Sequence, residues 1–177
     1  LVMKPLETKS ISSQLLFSTV RITGLLDDGR ESVGSAFFFS FKVEGGSMPV
    51  LITNWHVVEG CSRGNFLLHG ATPDGLQPNA SFRVDFNSFQ RAWVRHPDGL
   101  DLCAMPVGPI LDRESQEGRE VFWRSLGEEL VPSDDAMESF AAMEDVVMVG
   151  YPIGLWDSVN NLPLLRRGIT ASHPAVD

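Results

Sequence analysis

Three stretches near the start of the chain have the apolar pattern of β-strands. Residues 17–23 alternate apolar and polar side chains, residues 33–43 are rich in phenylalanine and valine, and residues 50–52 are Val-Leu-Ile. β-Branched and aromatic residues favour strands. Turn-forming residues at 27–29 (Asp-Asp-Gly) and 45–47 (Gly-Gly-Ser) separate the three runs. The pattern therefore predicts an antiparallel meander of three strands.

Further short apolar runs follow at regular intervals. They cover residues 66–68, 82–86 and 92–95, and turn-forming residues lie between them at 73–75 and 78–79. Short strands separated by such signals are typical of an antiparallel sandwich or barrel. The sequence thus predicts an all-β fold.

The second half of the chain begins with a change in composition. Residues 108–124 are mostly polar, which predicts a connection between two halves. Ser133 precedes two acidic residues and predicts the start of a short helix. Beyond it, residues 145–150 predict a buried strand, and residues 164–171 predict another.

The candidate chemistry lies at the ends of two predicted strands. His56 follows the 50–52 run closely, where a strand passes into a turn or short helix. Asp101 stands at the start of the apolar run 100–107, and a desolvated carboxylate there requires a partner. A carboxylate that binds Nδ1 of a histidine fixes its tautomer and lets it activate a nucleophile. On these residues alone, a simple structural ion pair remains the alternative.

Composition excludes some classes of function. The chain has 177 residues and a formal net charge of -9, which argues against a nucleic-acid partner. No apolar run reaches the ~20 residues needed to span a bilayer, so no membrane partner is expected. If Met3 is the natural start, the residues after it lack the apolar core of a signal peptide, which predicts a soluble, cytoplasmic protein.

The remaining metal-binding residue types give no pattern of their own. Cys61 and Cys103 are expected to be free thiols, because one isolated pair is weak evidence for a disulfide. Neither CxxC nor HxxxH spacing occurs, and we expect no metal or other cofactor. We predict that His69, His96 and His173 are surface or loop residues.

Four motifs together resemble the chymotrypsin/trypsin superfamily, and especially the bacterial trypsin-like peptidases of the HtrA-like kind. They are Gly-Ser-Ala-Phe-Phe-Phe at 34–39, Leu-Ile-Thr-Asn-Trp-His-Val-Val at 51–58, Asp-Leu-Cys-Ala-Met at 101–105 and Val-Gly-Tyr-Pro-Ile-Gly at 149–154. The resemblance implies a serine protease with two antiparallel β-barrels and the site in the cleft between them. It implies that His56 is the general base and acid of a catalytic triad and that Asp101 orients it.

The nucleophile of that family is missing from the sequence. Its Gly-x-Ser-Gly-x-Pro-like loop does not occur, and neither Ser35 nor Ser172 has the surrounding glycines that build an oxyanion hole. The resemblance therefore implies a complete first barrel over residues 11–107, an inter-barrel connection over residues 108–130, and an incomplete second barrel over residues 131–177. We expect the serine to lie beyond residue 177.

Three functions follow as hypotheses. The first is a serine endopeptidase that cleaves a polypeptide substrate once a further C-terminal segment, or another chain, completes the second barrel. The second is a non-catalytic pseudo-peptidase that acts as a protein-binding or regulatory module. The third is a sandwich adhesion or scaffold domain, in which His56 and Asp101 would lie far apart. Trp55 is a bulky residue before the histidine, where it either narrows the cleft or covers the end of the barrel.

Overall fold

A computed structural model describes residues 10–176 of the chain, which are predominantly β-strand. The strands are β1 (Thr19–Leu26), β2 (Glu31–Val43), β3 (Gly46–Thr53), β4 (Cys61–Thr72), β5 (Gly75–Phe86), β6 (Val94–Arg95), β7 (Cys103–Pro106), β8 (Val121–Phe122), β9 (Leu126–Gly127), β10 (Asp145–Gly150) and β11 (Leu164–Ile169). The helices are α1 (Ile11–Leu15), α2 (Trp55–Val58), α3 (Gly108–Gln116) and α4 (Asp134–Glu138), with 3₁₀ turns at Gln90–Ala92, Glu128–Leu130 and Pro152–Gly154.

The predicted meander is confirmed. β1 pairs antiparallel with β2, and β2 pairs antiparallel with β3. Gly29 adopts a φ of 85°, a conformation that glycine reaches without steric cost, and the Leu26 N–H donates to the Arg30 carbonyl across this turn at 2.9 Å. Together with the other strands, this meander agrees with the predicted all-β fold class.

The larger sheet is open rather than a closed barrel. Its strands are hydrogen-bonded in the order β5-β4-β1-β2-β3-β7-β6, with β8 added to β4 and β9 added to β2 in the only parallel pairing among residues 10–176. Within that range no ladder joins β5 to β6, so the predicted closure of the first barrel is not found. Residues 87–93 cross this gap without forming a strand, and their Phe89 and Trp93 side chains are buried there.

The open sheet still curls around one apolar core. Gly64 on β4 permits this packing, because a Cβ at that position would lie 2.3 Å from Cγ of the fully buried Phe89. The remaining inward side chains belong to alternate positions of neighbouring strands, as a pleated sheet requires. They include Ile22, Phe38, Leu51, Phe66, Val84 and Met105.

The residues at 78–79 do not end a strand as predicted. They lie inside β5, which pairs with β4 on both sides of them. An irregularity in the register between His69 and Ala71 lets the two long strands stay paired past this point.

The polar connection after residue 107 packs back onto the sheet. β8 pairs with β4, and β9 pairs with β2. Helix α3, which the polar composition did not predict, buries the Glu114 side chain to 3% exposure. Arg113 and Arg119 donate hydrogen bonds to this carboxylate at 2.7 Å each, through Nη2 and Nε respectively. Two cations thus hold one buried acid at the end of α3.

The C-terminal part contains a separate two-stranded sheet formed by β10 and β11. The predicted helix start is confirmed, because the Ala136 N–H donates to Ser133 Oγ at the beginning of α4. The predicted strand at 145–150 is confirmed as β10, but its predicted burial is wrong, since Val147 and Met148 are 59% and 57% exposed. These two neighbours point to opposite faces of the strand, so apolar side chains on both faces of β10 meet solvent. No helix in the described part of the chain is long and apolar enough to cross a bilayer.

Candidate functional site

Helix α2 presents His56 at the end of β3. Its two valines, Val57 and Val58, are buried in the core, while the His56 side chain is 68% exposed. Ser32 on β2 fixes the helix from below, because its Oγ donates to the Val57 carbonyl at 2.8 Å. The short helix therefore holds the imidazole in one place while leaving it accessible.

Gly34 allows α2 to lie directly on β2. A Cβ at this position would lie 2.6 Å from Cγ1 and 2.8 Å from Cγ2 of Val57, closer than real Cβ contacts. Only glycine lets the Val57 side chain approach the β2 backbone this closely. It sets the height of His56 above the sheet.

Replacing Gly34 with alanine is expected to destabilise the protein and displace His56. Val57 is β-branched and stiff, so the helix must shift, at a cost of about 1–3 kcal/mol. Urea unfolding measures the loss, and the ring proton shifts of His56 report the displacement. The matched control is Gly46→Ala, since a Cβ there meets nothing within 4 Å. Equal stability of the two variants would contradict the packing described here.

Asp101 lies in the loop before β7 and binds His56 through both carboxylate oxygens. The Nδ1–H of His56 donates to Oδ2 at 2.6 Å, and the His56 backbone N–H donates to Oδ1 at 2.9 Å. Asn54 Nδ2 adds bonds to the Asp101 carbonyl at 3.0 Å and to Oδ2 at 3.3 Å. The backbone N–H of His56, followed by its ring N–H, holds the pKa of Asp101 below its usual value. The acid is thus a fixed carboxylate.

The environment of Asp101 differs from the prediction. The carboxylate was expected inside a strand and buried, but its side chain is 50% exposed and β7 begins two residues later. Hydrogen bonds from His56 and Asn54, rather than burial, hold it in place. The close contact of the two side chains also contradicts the sandwich hypothesis, which placed them far apart.

The other imidazole nitrogen of His56 has no hydrogen-bond partner among residues 10–176. Because Nδ1 carries the proton that Asp101 accepts, Nε2 keeps its lone pair in the neutral ring. A base with a free, exposed Nε2 can take a proton from a hydroxyl or a water that reaches it.

Trp55 covers the end of the sheet beside the site. Its ring is half-buried against the core, and the guanidinium of Arg95 lies over it at 5.3 Å from the ring centroid. Of the two roles expected for Trp55, this position agrees with covering the end of the strands and not with narrowing a cleft. Sequence reasoning missed Arg95 and Asn54, although an amide directly after a strand end was a signal for Asn54.

The other three histidines do not reach the site. His96 and His173 lie in turns, as predicted, where each Nδ1 accepts a backbone N–H. The prediction for His69 is wrong, because it is buried in β4 with an edge contact to Phe17 at 5.0 Å between ring centroids. Burial lowers the pKa of His69 to about 4, so it stays neutral at physiological pH. The run Phe-Leu-Leu that precedes it was the signal for a strand position.

Neither cysteine offers an alternative nucleophile. Cys61 and Cys103 are free, which confirms the prediction of free thiols, and both are buried. Burial raises the pKa of the Cys103 thiol to about 12 and also raises that of Cys61. Since the thiolate is the reactive form, both are inert near neutral pH. Within residues 10–176 no three His, Cys, Asp or Glu side chains are arranged to hold a metal ion.

No protein-family model matches the chain, and no curated protein sequence matches it either. Assignment of the site therefore depends on its geometry and on the motifs that surround His56 and Asp101.

Proposed function

We propose that the protein is a trypsin-like serine endopeptidase, in which His56 is the general base and Asp101 orients it. The observation that carries the proposal is the two-oxygen contact of Asp101 with the ring and the backbone of His56. A simple ion pair requires neither the second contact nor a free, exposed Nε2. The order of the residues, with the histidine before the aspartate, supports this superfamily over other serine hydrolases.

The proposed fold is a pair of barrels with the site between them. β1–β7, whose sheet stays open between β5 and β6, correspond to the first barrel, and β10–β11 begin the second. One hydrogen bond joins the two parts, since the Tyr151 N–H donates to Ser35 Oγ at 2.8 Å, and Gly150 leaves room for that hydroxyl. The exposed apolar side chains of β10 support a second barrel that a further segment, or another chain, completes.

In the proposed reaction, a serine outside residues 10–176 lies against Nε2 of His56. Its hydroxyl proton passes to Nε2 as the oxygen attacks the carbonyl carbon of a peptide bond. Asp101 stabilises the imidazolium that forms, and His56 then gives the proton to the departing amine. Water, activated by the same histidine, hydrolyses the acyl-enzyme.

The buried free thiols of Cys61 and Cys103 agree with a reducing compartment such as the cytoplasm.

A fluorophosphonate probe tests the proposal on the natural full-length protein. We expect covalent labelling of one serine, and loss of that labelling in the His56→Ala variant. The matched control is His96→Ala, which removes a histidine from a nearby turn and leaves labelling intact. A folded protein that is not labelled would overturn the peptidase proposal and favour the pseudo-peptidase.

A further inference from the structure

Asn54 occupies the N-cap position of helix α2, but its side chain does not cap the helix. An asparagine at this position normally accepts a hydrogen bond from the N–H of the second or third helical residue. The Asn54 side chain makes no such bond. The N–H of the second helical residue, His56, donates instead to Oδ1 of Asp101 at 2.9 Å. The carboxylate of Asp101 therefore caps α2 in place of the N-cap residue itself.

The Asn54 side chain binds Asp101 instead of its own helix. Its Nδ2 donates to the Asp101 carbonyl at 3.0 Å and to Oδ2 at 3.3 Å. Both of these oxygens can only accept, which settles the orientation of the amide. Oδ2 thus receives the ring N–H of His56 and the amide of Asn54, while Oδ1 receives the His56 backbone N–H. Rotation of the carboxylate would break bonds at both oxygens.

The end of the β3–β7 ladder brings Asn54 and Asp101 together. Thr53 and Cys103 form the last pair of this ladder, and Asn54 and Asp101 lie one and two residues beyond it. Thr53 Oγ1 donates to the Ser35 carbonyl at 2.8 Å, which ties this end of β3 to β2. Asp101 lies in a loop, and its side chain is 50% exposed. The bonds from Asn54 therefore connect an exposed loop to the fixed end of a strand.

We propose that Asn54 is a positioning residue, which holds Asp101 so that the carboxylate keeps the ring proton of His56 on Nδ1. This inference rests on the proposed function of His56 as general base. Asn54 acts on the reaction only through Asp101. Without its amide, the loop and the carboxylate gain freedom, and a larger share of the neutral ring carries its proton on Nε2. That tautomer has no lone pair on Nε2 and cannot act as the base there.

The Asn54→Ser variant separates positioning from ordinary capping. Serine is about as good an N-cap residue as asparagine, but it lacks the amide that reaches Asp101. The ¹⁵N shifts of the His56 ring, recorded on the chain at pH 9, report which nitrogen carries the proton. We expect the tautomer equilibrium of His56 to shift towards Nε2–H. The urea midpoint should stay close to that of the wild type, because α2 keeps a residue that can cap it.

The matched control is Ser133→Ala, which removes the Oγ that accepts the Ala136 N–H at the start of α4. This variant is expected to lower the urea midpoint and to leave the His56 tautomer unchanged. A merely structural N-cap at Asn54 would behave in the same way. The two variants should therefore have opposite effects on stability and on the tautomer.

Fluorophosphonate labelling of the natural full-length protein gives the effect on reactivity. Asn54→Ser is expected to slow labelling about tenfold, as the loss of one hydrogen bond to a charged group predicts. Added to Asp101→Asn, it should slow labelling no further, because Asn54 acts through that carboxylate.

Two results would overturn the positioning role. One is the same His56 tautomer in the wild type and in Asn54→Ser. The other is an equal slowing of labelling by Asn54→Ser in the presence and absence of Asp101→Asn. The tautomer measurement needs no nucleophile, so it decides the role of Asn54 even where labelling fails. The positioning role and the peptidase proposal can therefore fail separately.

Discussion

Replacing Asp101 with asparagine is expected to slow fluorophosphonate labelling of the natural full-length protein about 10⁴-fold. The amide can still accept the His56 backbone N–H, so the fold and the position of α2 should remain. Its NH₂ group would face Nδ1, however, and would force the ring proton onto Nε2. The histidine would then hold the wrong tautomer for a base, and the measurement is the second-order rate of probe attachment.

The control for this variant is Asp98→Asn, which removes an acid from the turn that precedes Asp101 and should leave the rate unchanged. A second readout is the pH dependence of stability. The pKa of Asp101 is lowered in the folded protein, so the pair stabilises the fold above the usual carboxyl range and loses this contribution as the pH falls through the folded value. The stability of the Asp101→Asn variant should not show this decrease at low pH. A rate within tenfold of the wild type would refute the orienting role.

Removing both arginines around Glu114 is expected to give the largest loss of stability. In the double variant Arg113→Ala, Arg119→Ala the carboxylate, only 3% exposed, has neither of its cations. An uncompensated buried charge costs about 3–5 kcal/mol. Urea unfolding at pH 7 measures this loss. The matched control is Arg63→Ala with Arg91→Ala, which removes two positive charges that pair with no acid among residues 10–176.

The pH dependence of stability distinguishes two causes of this loss, an unpaired buried carboxylate and the packing lost with the arginine side chains. Burial alone would raise the pKa of Glu114, but the hydrogen bonds from Arg113 and Arg119 outweigh it and the net pKa is lowered. Without the arginines, the pKa of Glu114 in the folded protein should rise above its unfolded value. The loss in the free energy of unfolding is then complete at neutral pH, where the carboxylate is charged, and becomes smaller as the pH is lowered. Adding Glu114→Gln to the double variant should restore part of the stability at pH 7. A deficit that is unchanged by pH and by Glu114→Gln would argue for packing instead.

Local patterning predicted the part of the fold that surrounds His56. The meander followed from alternation in β1 and from the apolar runs of β2 and β3, because a strand with one buried face repeats every two residues. The partner of Asp101 followed from a different argument, the cost of an unpaired carboxylate. That argument found the right contact for an incorrect reason, since hydrogen bonds at the surface, and not burial, hold the acid.

Long-range packing was beyond the reach of these patterns. Helix α3 is polar in composition, and its buried acid is paired both by Arg113 of the same helix and by Arg119, which returns from the following loop. The open edge between β5 and β6 depends on how residues 87–93 cross the core, which no local signal encodes. His69 was assigned to a surface or loop position because its surroundings are turn-like, whereas β4 continues past the glycine at position 70 to Thr72.

The hydrogen bonds around His56 and Asp101 have a consequence for how such a protein could be regulated. Every bond described there joins residues between 32 and 101, so none of them involves β10 or β11. In the proposed peptidase, control would then act on the remaining part of the site, by ordering or withholding the segment that carries the serine. The same independence suits a split reporter, in which two fragments regain labelling only when fused partners bring them together.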